Sequence, residues 1–308
     1  MFHHVPVMPA EVTAVLKDAA GTRFVDGTVG GASHAALLLQ ARPDAELLGI
    51  DRDPAALEAA REKLAPFGSR AALVHGNYSD MQALANAHGW EQVDGILLDL
   101  GVSSHQLDTP ERGFSFRFDA PLDMRMDPNA TLTASQILNE YDEKKLADIL
   151  YLYGEERRSR QIARAVVERR ATAPWRTTGE FAELLERVVG RAHQHGLPPA
   201  TRSFQALRIA VNNELGELEK GLRAAADLLS SGGILAIISF HSLEDRMVKQ
   251  FFVHEAAKCV CPPGLPMCVC GKKQTMEILT KHPVRPSDEE VNANPRASCA
   301  KLRVARKL

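Results

Sequence analysis

Short apolar runs alternate with helical patterns along the first third of the chain, and this spacing predicts a parallel sheet flanked by helices. Arg23–Asp26 reads as a strand ending in an acid. The small-residue loop Gly27-Thr28-Val29-Gly30-Gly31-Ala32-Ser33-His34 leads from it into an Ala/Leu-rich helix over 35–41. The run 47–50 is the next strand, ending at Asp51. Asp53 and Pro54 then supply an N-cap and a first-turn proline for a helix. Ala71–His75 and Val93–Asp99 read as the third and fourth strands. Between Gln106 and about Pro128 the pattern dissolves into turn residues and aromatics. Helical periodicity returns over 133–139, 143–152, 155–170 and 178–190, the last opened by a capping box formed by Thr177 and Glu180. A single long helix is expected over 203–229, a buried strand over 234–239, and a helix over 242–253 started by Ser242 and Asp245. A closing antiparallel pair is expected from 276–281 and 300–306. The reading is an α/β domain formed by residues 1–107 and 203–308, with a helical domain, 108–202, inserted into it.

Length agrees with two domains, since 308 residues is about twice the usual domain size. The 37 Lys and Arg against 39 Asp and Glu give a net charge of −2, which excludes a uniformly basic nucleic-acid coat but not local patches. The longest aliphatic runs, 37–39 and 234–238, fall far short of the roughly 20 residues needed to span a bilayer. The first residues carry neither a basic segment nor an apolar one. Five cysteines, four of them within twelve positions, do not suit a secreted disulfide framework. A cytoplasmic protein with no membrane partner is expected.

Ligands of such sheets sit at the carboxyl ends of the strands. Asp26, Asp51, Tyr78 and Asp99 all fall at or just past those ends. The Gly30 loop lets backbone approach a ligand at a helix N-terminus. Asp51, 21 residues after Gly30, suits a carboxylate that grips two ribose hydroxyls. Neither a Walker A lysine nor the full dinucleotide glycine spacing is present, which leaves a nucleoside ligand without a pyrophosphate, such as S-adenosylmethionine. Tyr78 reads equally as an adenine-facing ring or a core aromatic. The strand and loop from Asp94 to Asp108 would place side chains over the reactive end of a cofactor.

Longer blocks carry a specific resemblance. They are His4-Val5-Pro6-Val7-Met8, Asp26-Gly27-Thr28-Val29-Gly30, Asp51-Arg52-Asp53, Asp94 to Asp108, Arg112-Gly113-Phe114-Ser115-Phe116 and Pro121-Leu122-Asp123-Met124-Arg125-Met126. Further along come Thr201 to Ile209, Ile238 to Arg246 and Asn294-Pro295-Arg296-Ala297. Over nearly its whole length the chain resembles the bacterial ribosomal RNA small subunit methyltransferase H family. The resemblance implies a Rossmann-like S-adenosylmethionine-dependent methyltransferase sheet and N4-methylation of a cytosine in the decoding region of small-subunit rRNA. The partner would be that rRNA or the small ribosomal subunit. Carried over by motif, the cofactor contacts fall on Gly30, Ala32, Ser33, His34, Asp51, Tyr78, Asp99 and Gln106. The family usually has a glycine pair before His34, where this chain has Ala32 and Ser33.

Methyl transfer from a sulfonium needs no metal, and no metal ligand is assigned. Asp99, or a carbonyl of the loop after it, is the expected proton acceptor. The familiar Pro-Pro-aromatic run of amine methyltransferases is replaced by Asp99-Leu100-Gly101-Val102, so a base-stacking ring must come from elsewhere; Phe114, Phe116 and Phe240 are candidates, and each also reads as a core residue. His241 reads as a helix-starting residue. Two basic clusters stand out: Arg157, Arg158, Arg160, Arg164, Arg169 and Arg170 in the insert, and Arg296, Lys301, Arg303, Arg306 and Lys307 at the end. The first is the expected RNA platform. Cys259, Cys261, Cys268 and Cys270 read either as a structural zinc site or as a reduced, turn-rich loop. Two rival functions share parts of this pattern: a dinucleotide-dependent oxidoreductase, and a non-catalytic ribosome-assembly factor with a vestigial cofactor pocket.

Overall fold

The computed structural model describes residues 6–190, 198–262 and 267–308. His4 and Val5 of the opening block, and Pro263, Gly264 and Pro266 between the cysteine pairs, lie outside the described residues. The chain divides into two compact units, Met1–Gly101 with Gly216–Leu308, and Val102–Leu215.

The first unit opens with α1 (Pro9–Lys17), β1 (Arg23–Asp26), α2 (Ser33–Ala41), β2 (Glu46–Asp51) and α3 (Pro54–Leu64). It continues with β3 (Ala71–His75), α4 (Met81–Ala87) and β4 (Val93–Asp99). Asp53 caps α3 as its sequence position requires, accepting from the Ala55 N–H at 3.1 Å. The second unit holds α5 (Ser104–Asp108), α6 (Ala134–Glu140), α7 (Glu143–Gly154), α8 (Ser159–Arg170), α9 (Thr178–Val189) and α10 (Thr201–Asn212). The chain then returns through α11 (Glu214–Leu228), β5 (Leu229–Ser239), α12 (Ser242–Ala256), β6 (Met276–Ile278), α13 (Asp288–Ala293) and β7 (Lys301–Lys307).

These strands form one seven-stranded sheet in the order β3-β2-β1-β4-β5-β7-β6. The first five run parallel, while β7 lies antiparallel between β5 and β6. Helices cover both faces. Val12, Leu38 and Leu57 bring α1, α2 and α3 onto one, and Met81, Leu222 and Phe252 bring α4, α11 and α12 onto the other. That sandwich explains why the middle of β4, Ile96-Leu97-Leu98, is a continuous apolar run instead of alternating. The fold is a Rossmann-like α/β sheet. Successive strands proceed outward from β1 on one side and from β4 on the other, so the ligand crevice of this topology opens at the carboxyl ends of those two.

The second unit has its own aromatic core. Trp175, fully buried, meets Phe181 edge-on at 5.9 Å, and Phe116 meets Phe204 at 5.2 Å. Among the described residues, no helix is long and apolar enough to cross a membrane.

Three expectations from sequence need correction. The helix over 203–229 is two helices: Asn213 sits in the left-handed region, φ 50°. Just before it, the buried Asn212 amide donates to the Met124 carbonyl and accepts from the Met126 N–H, both at 2.8 Å. Because α10 packs on α7 and α5 also belongs to the helical unit, the seams lie at 101/102 and 215/216 and not at 107/108 and 202/203. The helix expected from 155 begins at Ser159, since Glu155 is also left-handed, φ 49°.

Candidate functional site

The loop between β1 and α2 is folded by its neighbours' strand ends. Gly27 N–H donates to the Leu97 carbonyl at 2.9 Å, and Val29 N–H to that of Ile50 at 3.0 Å. An added Cβ at Gly27 would lie 2.6 Å from the Leu98 side chain, so this close passage requires glycine. Gly30, φ 49°, turns its N–H to Asp51 Oδ2 at 2.8 Å, while Asp53 N–H donates to Asp51 Oδ1 at 2.9 Å. Each Asp51 oxygen thus keeps a lone pair for a further donor, as a ribose diol would require. Ala32, the N-terminal flank of α2, is fully buried and left-handed at φ 57°. The Ser33 hydroxyl accepts from Lys63 Nζ at 2.7 Å.

The floor of the crevice is acidic. Asp26 is buried, accepts from Thr28 N–H at 3.2 Å, and has its carboxyl pushed up to about 7 by burial and then by the nearby Asp51. Burial also raises Asp51. Asp99 is pushed up to about 8, first by burial and then by Asp26 and Glu244. Its backbone N–H donates to the Thr28 hydroxyl at 2.7 Å, which ties the end of β4 to the β1 loop. His34 Nε2 lies 3.7 Å from Asp99 Oδ2. Asp99 Oδ1 is buried with no hydrogen-bond partner among the described residues. A buried acceptor of this kind needs a donor or a cation. Three carboxyls whose charges oppose one another suit a positively charged ligand, and a sulfonium is one. Gly30, Ala32, Ser33, His34, Asp51 and Asp99 are therefore brought together at the carboxyl ends of β1, β2 and β4.

The remaining candidates have local roles. Tyr78 is buried, with its ring edge against Gly221 of α11. Gln106 belongs to the second unit, where it forms a capping box with Ser103 at the start of α5. Phe114 and Phe116 join the second unit's core. Phe240, at the end of β5, is half-buried beside Gly101. His241, not Ser242, is the N-cap of α12, and its box partner is Glu244, not Asp245. Asp245 instead receives Lys301 Nζ at 2.9 Å and Arg303 Nε at 2.7 Å.

Two groups escaped the sequence reading. Asp26 was placed at a strand end but not in the site. Glu244 is buried and accepts from the Phe240 N–H at 2.9 Å. Its signal is the spacing His241-x-x-Glu244 directly after a strand.

The first basic cluster separates in the structure. Arg158 and Arg170 donate to the carbonyls of Val188 and of Leu138 and Tyr141. Arg169 stacks on Trp175 at 3.9 Å. Arg157, Arg160 and Arg164 remain exposed, the last two lining a groove of about 720 Å³ beside α7. The terminal cluster is largely internal to its unit: Lys301 and Arg303 pair with Asp245, Arg306 with Glu277, and Lys307 donates to the Ala226 carbonyl.

Comparison with known proteins adds the following. The family model described as the MraW methylase family matches residues 1–308. Ribosomal RNA small subunit methyltransferase H of Geobacter sulfurreducens is 53% identical over 309 residues, covering 100% of this chain and 99% of the relative. The protein of the same name from Heliobacterium modesticaldum is 52% identical over 311 residues, at 100% and 99% coverage. Among solved structures, an rRNA methylase from Streptococcus thermophilus aligns with 97% of this chain and 93% of its own, at 11% identity and TM-score 0.42.

Proposed function

The chain belongs to the MraW methylase family, and from that premise we propose that it methylates the exocyclic N4 of a cytosine in the decoding region of small-subunit rRNA. It is an rRNA methyltransferase, and its cofactor is S-adenosylmethionine. The observation that carries the N4 reading is Asp99, a carboxyl at the sheet's switch point with one oxygen buried and unpartnered and its proton affinity raised.

S-adenosylmethionine, when bound, supplies a methyl group on a sulfonium. The protein's part is to hold the acceptor in line with it and to manage a proton. A cytosine amine is a weak nucleophile because its lone pair is delocalised into the ring. A carboxylate hydrogen-bonded to N4 localises that pair and receives the proton the amine must lose. Asp99 is assigned this role, with Thr28 fixing its backbone and His34 flanking its other oxygen. Asp51 holds the ribose. The peptides of Gly30, Ala32, Ser33 and His34 line the methionine end, and Tyr78 backs the adenine side. Phe240 is assigned the base stack. The exposed face carrying Arg157, Arg160 and Arg164 takes rRNA phosphates.

The test is transfer of labelled methyl from S-adenosylmethionine to small ribosomal subunits that lack their own modification, followed by nuclease mapping. Label on N4 of one decoding-region cytosine, abolished in Asp99→Ala, is expected. Ribosome binding with cofactor bound but no transfer would overturn the proposal in favour of an assembly factor.

A further inference from the structure

Between α12 and β6 the chain makes a long excursion that returns to its own start, where Thr275 N–H donates to the Glu255 carbonyl at 2.9 Å. The described residues from 257 to 275 form neither helix nor strand, and none of those between 258 and 273 is buried. Loops beyond about 12–15 residues without secondary structure are uncommon in compact domains unless something orders them. Apolar packing does not do so here: Val260, Met267 and Val269 all face solvent, the last 79% exposed.

What the segment has instead is four converging thiols. Cys259, Cys261, Cys268 and Cys270 place their Sγ atoms within 4.8 Å of one another. The individual contacts are 3.5 Å for Cys259 with Cys268, 3.9 Å for Cys261 with Cys268, 3.5 Å for Cys268 with Cys270 and 3.8 Å for Cys270 with Cys259. A regular tetrahedron with zinc–sulfur bonds of about 2.3 Å has sulfur–sulfur edges of about 3.8 Å. Backbone amides already point at three of the sulfurs: Val260 N–H at Cys270, Cys261 N–H at Cys259, and Val269 N–H at Cys261, at 3.4–3.5 Å. Such donors stabilise thiolates and orient them, as outer-shell groups do at metal centres. All four are free cysteines, and the fifth, Cys299, stands outside the cluster.

We propose that these four cysteines form a structural zinc site that folds the loop between α12 and β6. Four thiolates with tetrahedral spacing leave no open coordination position, so the site is structural and not catalytic. It is independent of the methyl-transfer reading. Zinc replaces the hydrophobic core the excursion lacks, because a ligand that binds only the folded loop contributes its binding free energy to folding.

The experiment measures metal in the full-length protein, expressed with zinc and purified under reductant. About one zinc per chain is expected. Cys259→Ser with Cys268→Ser should lose it, and Cys299→Ser should keep it. Exchange with cobalt(II) alone should give the visible absorption of a tetrahedral tetrathiolate. Chelation should open the chain to trypsin at Lys258, Lys272 and Lys273. Less than about a tenth of an equivalent of zinc, with no cobalt–thiolate spectrum, would overturn the site. So would a stoichiometric iron content, or a thiol titration of protein prepared without reductant, then denatured and treated with chelator, that finds Cys299 alone reactive. The wild-type measurements decide the question even if the double variant does not fold.

Discussion

Asp99 combines two properties that pull against each other in an ordinary aspartate: one of its oxygens is shut off from water, and that same oxygen has no donor. With the carboxyl pushed up to about 8, the free enzyme carries it mostly protonated at neutral pH. A protonated carboxyl cannot accept the N4 proton, so the active fraction grows as pH rises through that value and levels off above it. We therefore expect kcat/KM, which reports the free enzyme, to rise toward a plateau with a limb near pH 8. In Asp99→Asn the limb should vanish and the rate should fall by about 10²–10⁴. A variant that kept the limb would place the titrating group elsewhere, with Asp26 next in line. The position of Asp99 was legible in the sequence, because an apolar strand ending in an acid identifies itself. Its proton affinity was not, since that depends first on burial by the assembled fold and then on Asp26 and Glu244, 73 and 145 residues away along the chain.

At the level of elements, sequence pattern located strands better than helix ends. The four N-terminal strands each carry a short apolar run, such as Phe24-Val25, Ala71-Ala72-Leu73-Val74 or Ile96-Leu97-Leu98, and Asp53-Pro54 marks its helix start without rival. Helix ends depended on side chains that compete with backbone. Asn212 reaches across to Met124 and Met126, and a periodicity reading cannot see a partner 86 or 88 residues away. At α12 two overlapping boxes were available, Ser242-x-x-Asp245 and His241-x-x-Glu244. The second wins because Asp245 is taken by Lys301 and Arg303 on β7, while Glu244 turns inward. Removing the cap in His241→Ala should cost about 1 kcal/mol. His241→Asn, which can still accept from the Glu244 N–H, should recover most of it. Thermal unfolding of the two variants checks this, and equal losses in both would mean that the imidazole matters for packing, not capping.

The whole molecule divides its labour between units whose charges differ in use. The sheet-bearing unit holds its terminal basic residues against Asp245, Glu277 and a backbone carbonyl, so they stabilise that unit. The helical unit spends Arg158, Arg169 and Arg170 in the same way. It leaves Arg157, Arg160 and Arg164 exposed, Arg164 with Glu143 at 4.0 Å and, like Arg160, on a groove also lined by Asp148 and Glu168. Sequence could count six arginines there but could not say which were committed, because the carbonyls of Val188, Leu138 and Tyr141 come from α9 and the end of α6, and Trp175 from the segment after α8. Reversing Arg157, Arg160 and Arg164 to Glu should weaken rRNA binding and flatten its dependence on salt. Each phosphate contact to single-stranded RNA contributes about 0.7 to the slope of log K against log salt, so the triple change should remove about two. Binding of S-adenosylmethionine should be unchanged, because none of the three belongs to the crevice. The same substitutions at Arg158, Arg169 and Arg170 should instead lower thermal stability. An unchanged salt slope in the first set would move the RNA platform off this face.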